Sequence, residues 1–359
     1  MIEPISRGVL DTRLRGYDDG MWNTALSSVI ARSTRDDLSA VAQRAKAEAI
    51  HSFFGAMDCF AALAMTKKSN YACAASAEDH RLTADNDPMP APFGAFAPNA
   101  AQAAIIRLAH RSRLKRGAFR PWLSRLVNLL RGGPIDVHYQ GAPFRFYHQA
   151  SATERGALFN PHYNLEELDF LRAHTPTSGV FVDVGANVGT YAMVLARRVG
   201  ADGKVIAIEP HPVTHARLAF NNAASRYTQV KLVAAAAGPA DGELMIETDG
   251  DNLGASHVVS GMPSVGAIKV PSLRLARILR DAGVASVDAL KIDIEGFEDR
   301  ALIPFFKEAP QSLWPRAVVI EHLSREEWQQ DCVADMLARG YVETGKTRSN
   351  TLLVRGSSS

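Results

Sequence analysis

The stretch Val180-Phe-Val-Asp-Val-Gly-Ala-Asn-Val-Gly-Thr-Tyr191 decides how the rest of this chain is read. Val180, Phe181, Val182 and Val184 form a short apolar run of β-branched and aromatic residues, interrupted only by Asp183. A run of that kind is the pattern of a strand buried on both faces of a parallel sheet. Gly185 and Gly189 then open a turn, and Tyr191 to Val199 carries apolar residues at helical spacing. Strand, glycine turn and helix in this order aim backbone N–H groups and the positive end of a helix dipole at a ligand. Glycine suits the turn because, lacking Cβ, it takes positive φ and lets the backbone come close to what it binds.

The acids around the turn narrow the ligand. The dinucleotide pattern G-x-G-x-x-G is missing, and the order is Asp183-x-Gly185-x-Asn187-x-Gly189. A carboxylate at the strand end suits a cationic group better than a pyrophosphate. Lys204 to Ile208 reads as the next strand, with Glu209 at its end placed to accept both ribose hydroxyls of a nucleoside. A nucleoside that carries an ammonium group and no pyrophosphate describes S-adenosylmethionine; NAD is the weaker alternative. The expected cofactor contacts are Asp183, Gly185, Ala186, Asn187, Gly189 and Glu209, joined by Asp293 from a later strand.

From Phe144 to Val354 the chain resembles the FkbM family of S-adenosylmethionine-dependent methyltransferases. Two motifs in order carry the resemblance, Phe181-Val-Asp-Val-Gly-Ala-Asn-Val-Gly189 and Leu290-Lys-Ile-Asp-Ile-Glu-Gly-Phe-Glu298. It implies an α/β fold: a Rossmann-like class I methyltransferase sheet with helices on both faces and its last strands antiparallel. It also implies S-adenosyl-L-methionine as cofactor and methylation of a hydroxyl oxygen. The acceptor would be a sugar, a glycan or glycolipid precursor, or another secondary metabolite, without a choice among them. It makes the second motif a family hallmark without giving each residue a role.

Length and composition set bounds on the remainder. A chain of 359 residues has room for about two domains. Its 47% hydrophobic content supports a real core, and its net charge of +2 points neither toward nor away from nucleic acid; no nucleic-acid partner is expected. Cys59, Cys73 and Cys332 have no metal-ligand spacing and form no disulfide framework, so a reducing, cytoplasmic location is the default. Ile50 to Met65, the most apolar early stretch, is short for a bilayer and contains His51 and Asp58. No integral membrane span is expected, nor a secretory signal, since no basic region directly precedes that stretch at the chain start.

Four regions follow from the pattern. Residues 1–98 read as a disordered or mis-assigned extension. Thr34 to Met57 has helical spacing but no partner surface, and a segment with no core to join fits translation starting near Met89. Residues 99–178 read as a cap: a basic helical segment over Ala100 to Leu130, a hairpin from Ile135 through Tyr147 turning at Gly141-Ala-Pro143, and a helix from Asn164 to His174. Asn164 and Glu167 stand at capping-box spacing. The basic 107–131 segment suits peripheral contact with an anionic membrane or an acidic substrate, although such charges more often form a solvated helix face. Residues 179–355 are the methyltransferase domain, and 356–359 a tail.

Beyond Glu209 the spacing predicts a helix over Pro212 to Ala224 and a third strand over Lys231 to Ala236, which ends among alanines and offers adenine no acidic or amide side chain. Strands at Gly242 to Glu247 and Ala267 to Val270 flank a polar loop, Asp249 to His257, suited to substrate contacts. Leu273 to Ala282 reads as a helix ended by Gly283. Val287 to Ile294 is the second informative strand. Lys291, Asp293 and Glu295 alternate onto one face of it, and buried strands carry such groups only when these are paired or functional. Asp293 and Glu295 are therefore the candidates for the methyl-acceptor side. Ala317 to Ile320 ends in Glu321-His322, where a histidine beside a carboxylate is a further candidate base. The expected catalytic set is Glu295, Glu321 and His322, with metal assistance conceivable only through Asp293 and Glu295. Ser324 with Glu327 suggests a helix running to Arg339, and Tyr341 to Thr344 with Thr351 to Val354 a terminal hairpin. The rival functions are a nicotinamide-dependent oxidoreductase, which lacks its middle glycine here, and a non-catalytic nucleoside-binding protein.

Overall fold

Asn99 starts the first helix of the fold: its side chain accepts the Gln102 N–H, and the Gln102 side chain reaches back to the Asn99 N–H. The structure is a computed structural model and describes residues 91–249, 252–258 and 266–356. The expectations for residues 1–90, including a start near Met89, and for the end of the tail lie outside the described residues.

The basic segment forms two helices, α1 (Ala100–Arg111) and α2 (Arg120–Leu130), separated by two short 3-10 turns. Pro121 stands in the first turn of α2, where its missing N–H costs nothing. The hairpin pairs β1 (Ile135–Tyr139) with β2 (Ala142–Phe146). Its turn is Gln140-Gly141, both at positive φ (50° and 86°), one residue earlier than the sequence suggests. Residues 91–98, counted with the extension from sequence, dock on this hairpin. Asp136 accepts from the Gly94 and Phe96 N–H groups and pairs with Arg145, which also donates to the Ala91 and Pro92 carbonyls. A helix unmarked in the sequence reading, α3 (Ala152–Phe159), precedes α4 (Leu165–His174). The capping box at Asn164 does not form. Asn164 is left-handed (φ 54°) without a capping bond, because Glu167 instead accepts from Thr347 Oγ1 and Asn350 Nδ2.

The main domain then alternates strand and helix: β3 (Val180–Val184), α5 (Ala192–Val199), β4 (Lys204–Ile208), α6 (Pro212–Ser225) and β5 (Val230–Val233). The third strand is shorter than expected. The chain leaves the sheet at Ala234, and Ala236–Ala237 (β6) joins a second sheet with β7 (Gly242–Asp249), β8 (Asn252–Val258) and β9 (Ile268–Leu273), in the order β6-β9-β7-β8. The expected polar loop at 249–257 is mostly β8. The backbone ladder of an edge strand needs no apolar alternation.

The chain continues through α7 (Leu275–Asp281), β10 (Ala289–Ile292), α8 (Glu298–Glu308), β11 (Ala317–Glu321), α9 (Cys332–Ala338), β12 (Tyr341–Lys346) and β13 (Asn350–Arg355). Ser324 opens only a 3-10 turn, and α9 is capped by Asp331, whose side chain accepts the Ala334 N–H. The segment between cannot continue the helix, because Trp328 Nε1 donates to Glu298 and the Gln329 and Gln330 N–H groups to Asp299.

The seven-stranded sheet runs β12-β13-β11-β10-β3-β4-β5, parallel except where β13 joins β11 and β12. Its two faces are buried by separate apolar clusters, as strand alternation requires. Phe181, Val205 and Ala289 pack toward α5 and the cap, while Val182, Ile206 and Leu290 pack toward α7 and α8. The chain passes from β3 to β4 on one side and later to β10 on the other. That reversal opens a crevice at the carboxyl ends of β3, β4 and β10, the place where ligands sit in open α/β sheets.

Candidate active site

A cavity occupies this crevice. Its floor is the β3–α5 turn, with Glu209 after β4, Lys291, Asp293 and Glu295 at the end of β10, and Ala237, Ile246 and Val258 from the second sheet. Thr153, Tyr163, Asn164, Ser349 and Asn350 close it from the cap and the terminal hairpin. The sequence did not single these last five out as site residues. One signal for them was a polar Asn164 at a cap position that the fold does not use as a cap.

Gly185, Asn187 and Gly189 all have positive φ (75°, 51° and 92°). The N–H groups of this turn are committed inside the protein. Those of Gly185 and Ala186 go to the Ile208 carbonyl, Asn187 to Glu209 Oε2, Val188 to Asn187 Oδ1 and Gly189 to the Ala186 carbonyl. A Cβ on Gly185 would stand 2.0 Å from the Asp293 carbonyl oxygen, and one on Gly189 2.7 Å from Leu218 Cδ1. The glycines therefore admit neighbouring protein atoms, where the sequence suggested a ligand. Gly185, Ala186 and Asn187 line the cavity, and Gly189 lies behind it.

Asp183 does not reach the cavity wall either. It is fully buried, with Oδ2 accepting the Ala192 N–H at the start of α5 and Oδ1 lying 3.8 Å from Lys291 Nζ without a hydrogen bond. Strand register sets this pair, since Lys291 stands directly across from Asp183. Burial pushes the Asp183 carboxyl up to about 6, against the pull of Lys291. The sequence had Asp183 facing a ligand amine; in the structure Lys291 stands between. Lys291 donates to the Gly185 carbonyl and lies 3.6 Å from Asp293. Burial works against its charge, but Asp293, Asp183, Glu209 and Glu295 together hold its pKa above the ordinary value.

Glu209 does face the cavity. Its two oxygens accept the Asn187 and His211 N–H groups, and burial pushes it up to about 7. Glu295, left-handed at φ 53° beside Gly296, also faces the cavity. Burial, then the like charges of Asp293, Glu321 and Glu298, raise it to about 7. Carboxylates on the wall thus outnumber the one lysine.

The other expected catalytic residues stand elsewhere. Glu321 is buried behind Asp293 and accepts the Leu323 and Ser324 N–H groups. Asp293, Glu298 and Glu321 each bring one oxygen within 4.8 Å of the others, but Glu298 already accepts from the Ile294 N–H and Trp328 Nε1. His322 lies off the wall, its Nδ1 3.0 Å from Thr351 Oγ1. Alternation along the strand end turns it away from the face that carries Glu321. His322→Ala is accordingly expected to leave methyl-transfer kcat within about twofold of wild type, and a hundredfold loss would place the base there.

No described helix is long and apolar enough to cross a membrane. No curated protein sequence matches the chain. Solved structures with a similar fold include a precorrin-6y C5,15-methyltransferase from Geobacter metallireducens (13% identity, 54% of this chain and 88% of that one, TM-score 0.34). Two others are an rRNA methylase from Streptococcus thermophilus (10%, 53% and 94%, 0.32) and an S-adenosylmethionine-dependent O-methyltransferase from Thermotoga maritima (12%, 53% and 64%, 0.33). These likenesses are weak. The assignment rests on the match of residues 183–342 to the methyltransferase FkbM domain, which begins at Asp183 and takes in the crevice, Glu209 and the Lys291-Ile-Asp-Ile-Glu295 strand end. Residues 183–342 are thus a methyltransferase FkbM domain, whose cofactor is S-adenosylmethionine.

Proposed function

We propose that this methyltransferase acts on a hydroxyl oxygen, with Glu295 taking the acceptor's proton. One observation carries the reading: among the expected bases Glu295 alone lies on the cavity wall, and its pKa of about 7 suits a proton acceptor at neutral pH. The cavity fits the cofactor. Glu209 makes no close ion pair among the described residues and is placed for a ribose diol, and Ile208, Pro210, Ile246 and Val258 give adenine an apolar slot. Lys291 and Asp293 offer the two charges that an amino-acid end needs, a cation for its carboxylate and an anion for its ammonium. S-adenosylmethionine, when bound, supplies an electrophilic methyl on a sulfonium. The chain's own residues hold acceptor and cofactor in line, exclude water and take the proton at Glu295. A sugar, glycan precursor or secondary-metabolite hydroxyl is the acceptor class.

Calorimetric titration tests the site. Glu209→Gln is expected to weaken S-adenosylmethionine binding about ten- to a hundredfold, the worth of charge-assisted hydrogen bonds, with NAD binding neither protein. At pH 7 wild-type binding should release protons, because a cationic cofactor lowers the pKa values of Glu209 and Glu295 from about 7. Heats measured in buffers of different ionisation enthalpy read that release, and net uptake would contradict the assignment. Silence in a radiolabelled methyl-transfer assay against cell-envelope glycans would favour the non-catalytic alternative.

A further inference from the structure

Beside the wall residue Tyr163 stands charge of the opposite sign. Arg120, the first residue of α2, holds its guanidinium 5.3 Å from the ring centre of Tyr163, a wall residue. Arg348 immediately precedes the wall residue Ser349 in the β12–β13 turn, and Arg155 lies in α3; both stand close enough to Arg120 for their charges to act on it. Three separate elements thus bring cations together beside a wall residue of the cavity. Burial and the charges of Arg348 and Arg155 lower the pKa of Arg120 despite Tyr163, and burial and Arg125 lower that of Arg155.

Among the described residues none of these four arginines has an acidic partner. Arg120 uses Nε on the Lys115 carbonyl and Arg155 one nitrogen on the His148 carbonyl. Their other donors are uncommitted. Elsewhere around the cap the arginines are neutralised, Arg145 by Asp136 and Arg217 of α6 by Glu154. Like charges gathered at a cavity edge without a counter-ion repel one another, and an arginine fork matches a phosphate in shape as well as in charge.

We propose that the methyl acceptor bears a phosphate, seated between Arg120, Arg155 and Arg348 while its hydroxyl faces Glu295. S-adenosylmethionine carries no phosphate, so this anion subsite belongs to the acceptor. The acceptor class becomes a sugar phosphate, free or linked through its phosphate to a lipid. The inference rests on the reading of the cavity as an O-methylation site.

Calorimetry on the full chain loaded with S-adenosylhomocysteine tests it, with inorganic phosphate, glucose 1-phosphate and glucose as probes. Both phosphates should bind and glucose should not. Exposed Arg348→Gln should weaken phosphate binding about three- to tenfold, and the triple variant R120Q/R155Q/R348Q should abolish it. S-adenosylhomocysteine affinity should stay within twofold in every variant; its absence from wild type would strike the cofactor reading and leave the arginine subsite standing or falling on the phosphate data. Co-sedimentation with phosphatidylglycerol vesicles distinguishes the sources. Binding lost in the triple variant supports a lipid-linked phosphate, and no binding alongside tight glucose 1-phosphate supports a free one. The proposal is overturned if phosphate binds wild type and triple variant alike, if it binds neither, or if glucose binds as well as its phosphate. A twelve-nucleotide RNA bound a hundredfold more tightly than phosphate, and lost in the triple variant, would also overturn it in favour of nucleic acid.

Discussion

Glu295→Gln is expected to lower kcat for methyl transfer at least about a hundredfold while S-adenosylmethionine affinity stays within a few-fold, since a general base contributes on the order of 10²–10⁴. Glutamine keeps the size of the side chain and cannot take the proton. The pH profile gives the sharper test. Glu295 has a folded pKa of about 7, above the ordinary carboxyl value, so it is neutral in acid and becomes a base only as pH rises through about 7. Wild-type kcat/KM should climb through that range to a plateau, and the residual activity of the variant should lack this limb. Stability should move the other way. A raised acid makes the fold lose stability between its unfolded pKa near 4.5 and about 7, so Glu295→Gln should melt a few degrees higher than wild type at pH 8 and level with it near pH 4.5. A variant that keeps its rate, or loses rate at all pH values in proportion to cofactor affinity, would remove Glu295 from the chemistry.

How much of this was legible in the sequence depends on what each residue had to satisfy. Val180 to Val184 and Lys204 to Ile208 were placed to the residue, because a strand buried on both faces leaves a nearly continuous apolar run. The terminal hairpin was found for a related reason, its alternation being bounded by turn formers. Elements whose ends are fixed by distant partners were not. Nothing local tells that Glu298 and Asp299 seize residues 328–330 and delay α9, or that Glu167 abandons Asn164 for the terminal hairpin. The polar β8 was hidden because edge-strand pairing runs through the backbone.

The site divides along the same line. Alternation put Lys291 and Asp293 on one face, and both do line the cavity. Glu295 arrives there by a different route, a left-handed turn after β10 has ended, which strand periodicity does not describe. No local signal tells which way a strand end points, and His322 stands off the cavity wall. The walls from the cap and the hairpin tip, Tyr163 and Ser349 among them, come from segments far from the motifs in sequence, and only the tertiary fold assembles them.

Asp183→Ala is expected to cost the fold about 3 kcal/mol at pH 5 and to weaken S-adenosylmethionine binding tenfold or more, although Asp183 itself lies behind the cavity wall. Alanine strands the buried Ala192 N–H and removes one of the carboxylates around Lys291. The start of α5 and the Lys291 ammonium, which border the cavity, then lose what positions them. Asp183→Asn should fall in between, since its amide oxygen can still accept from Ala192. The pH dependence separates burial from ion pairing as the dominant force on Asp183. Its folded pKa of about 6 lies above the unfolded value near 3.8, with burial the largest cause, so wild type gives up stability as pH rises from about 4 to about 6. Asp183→Asn has no such term. Its deficit against wild type should therefore shrink over that range and stay level above it, as read from urea midpoints at pH 4.5, 5.5 and 7. A deficit that widens with pH instead would mean that Lys291 outweighs burial and that the pair holds the crevice together as an ionised bridge.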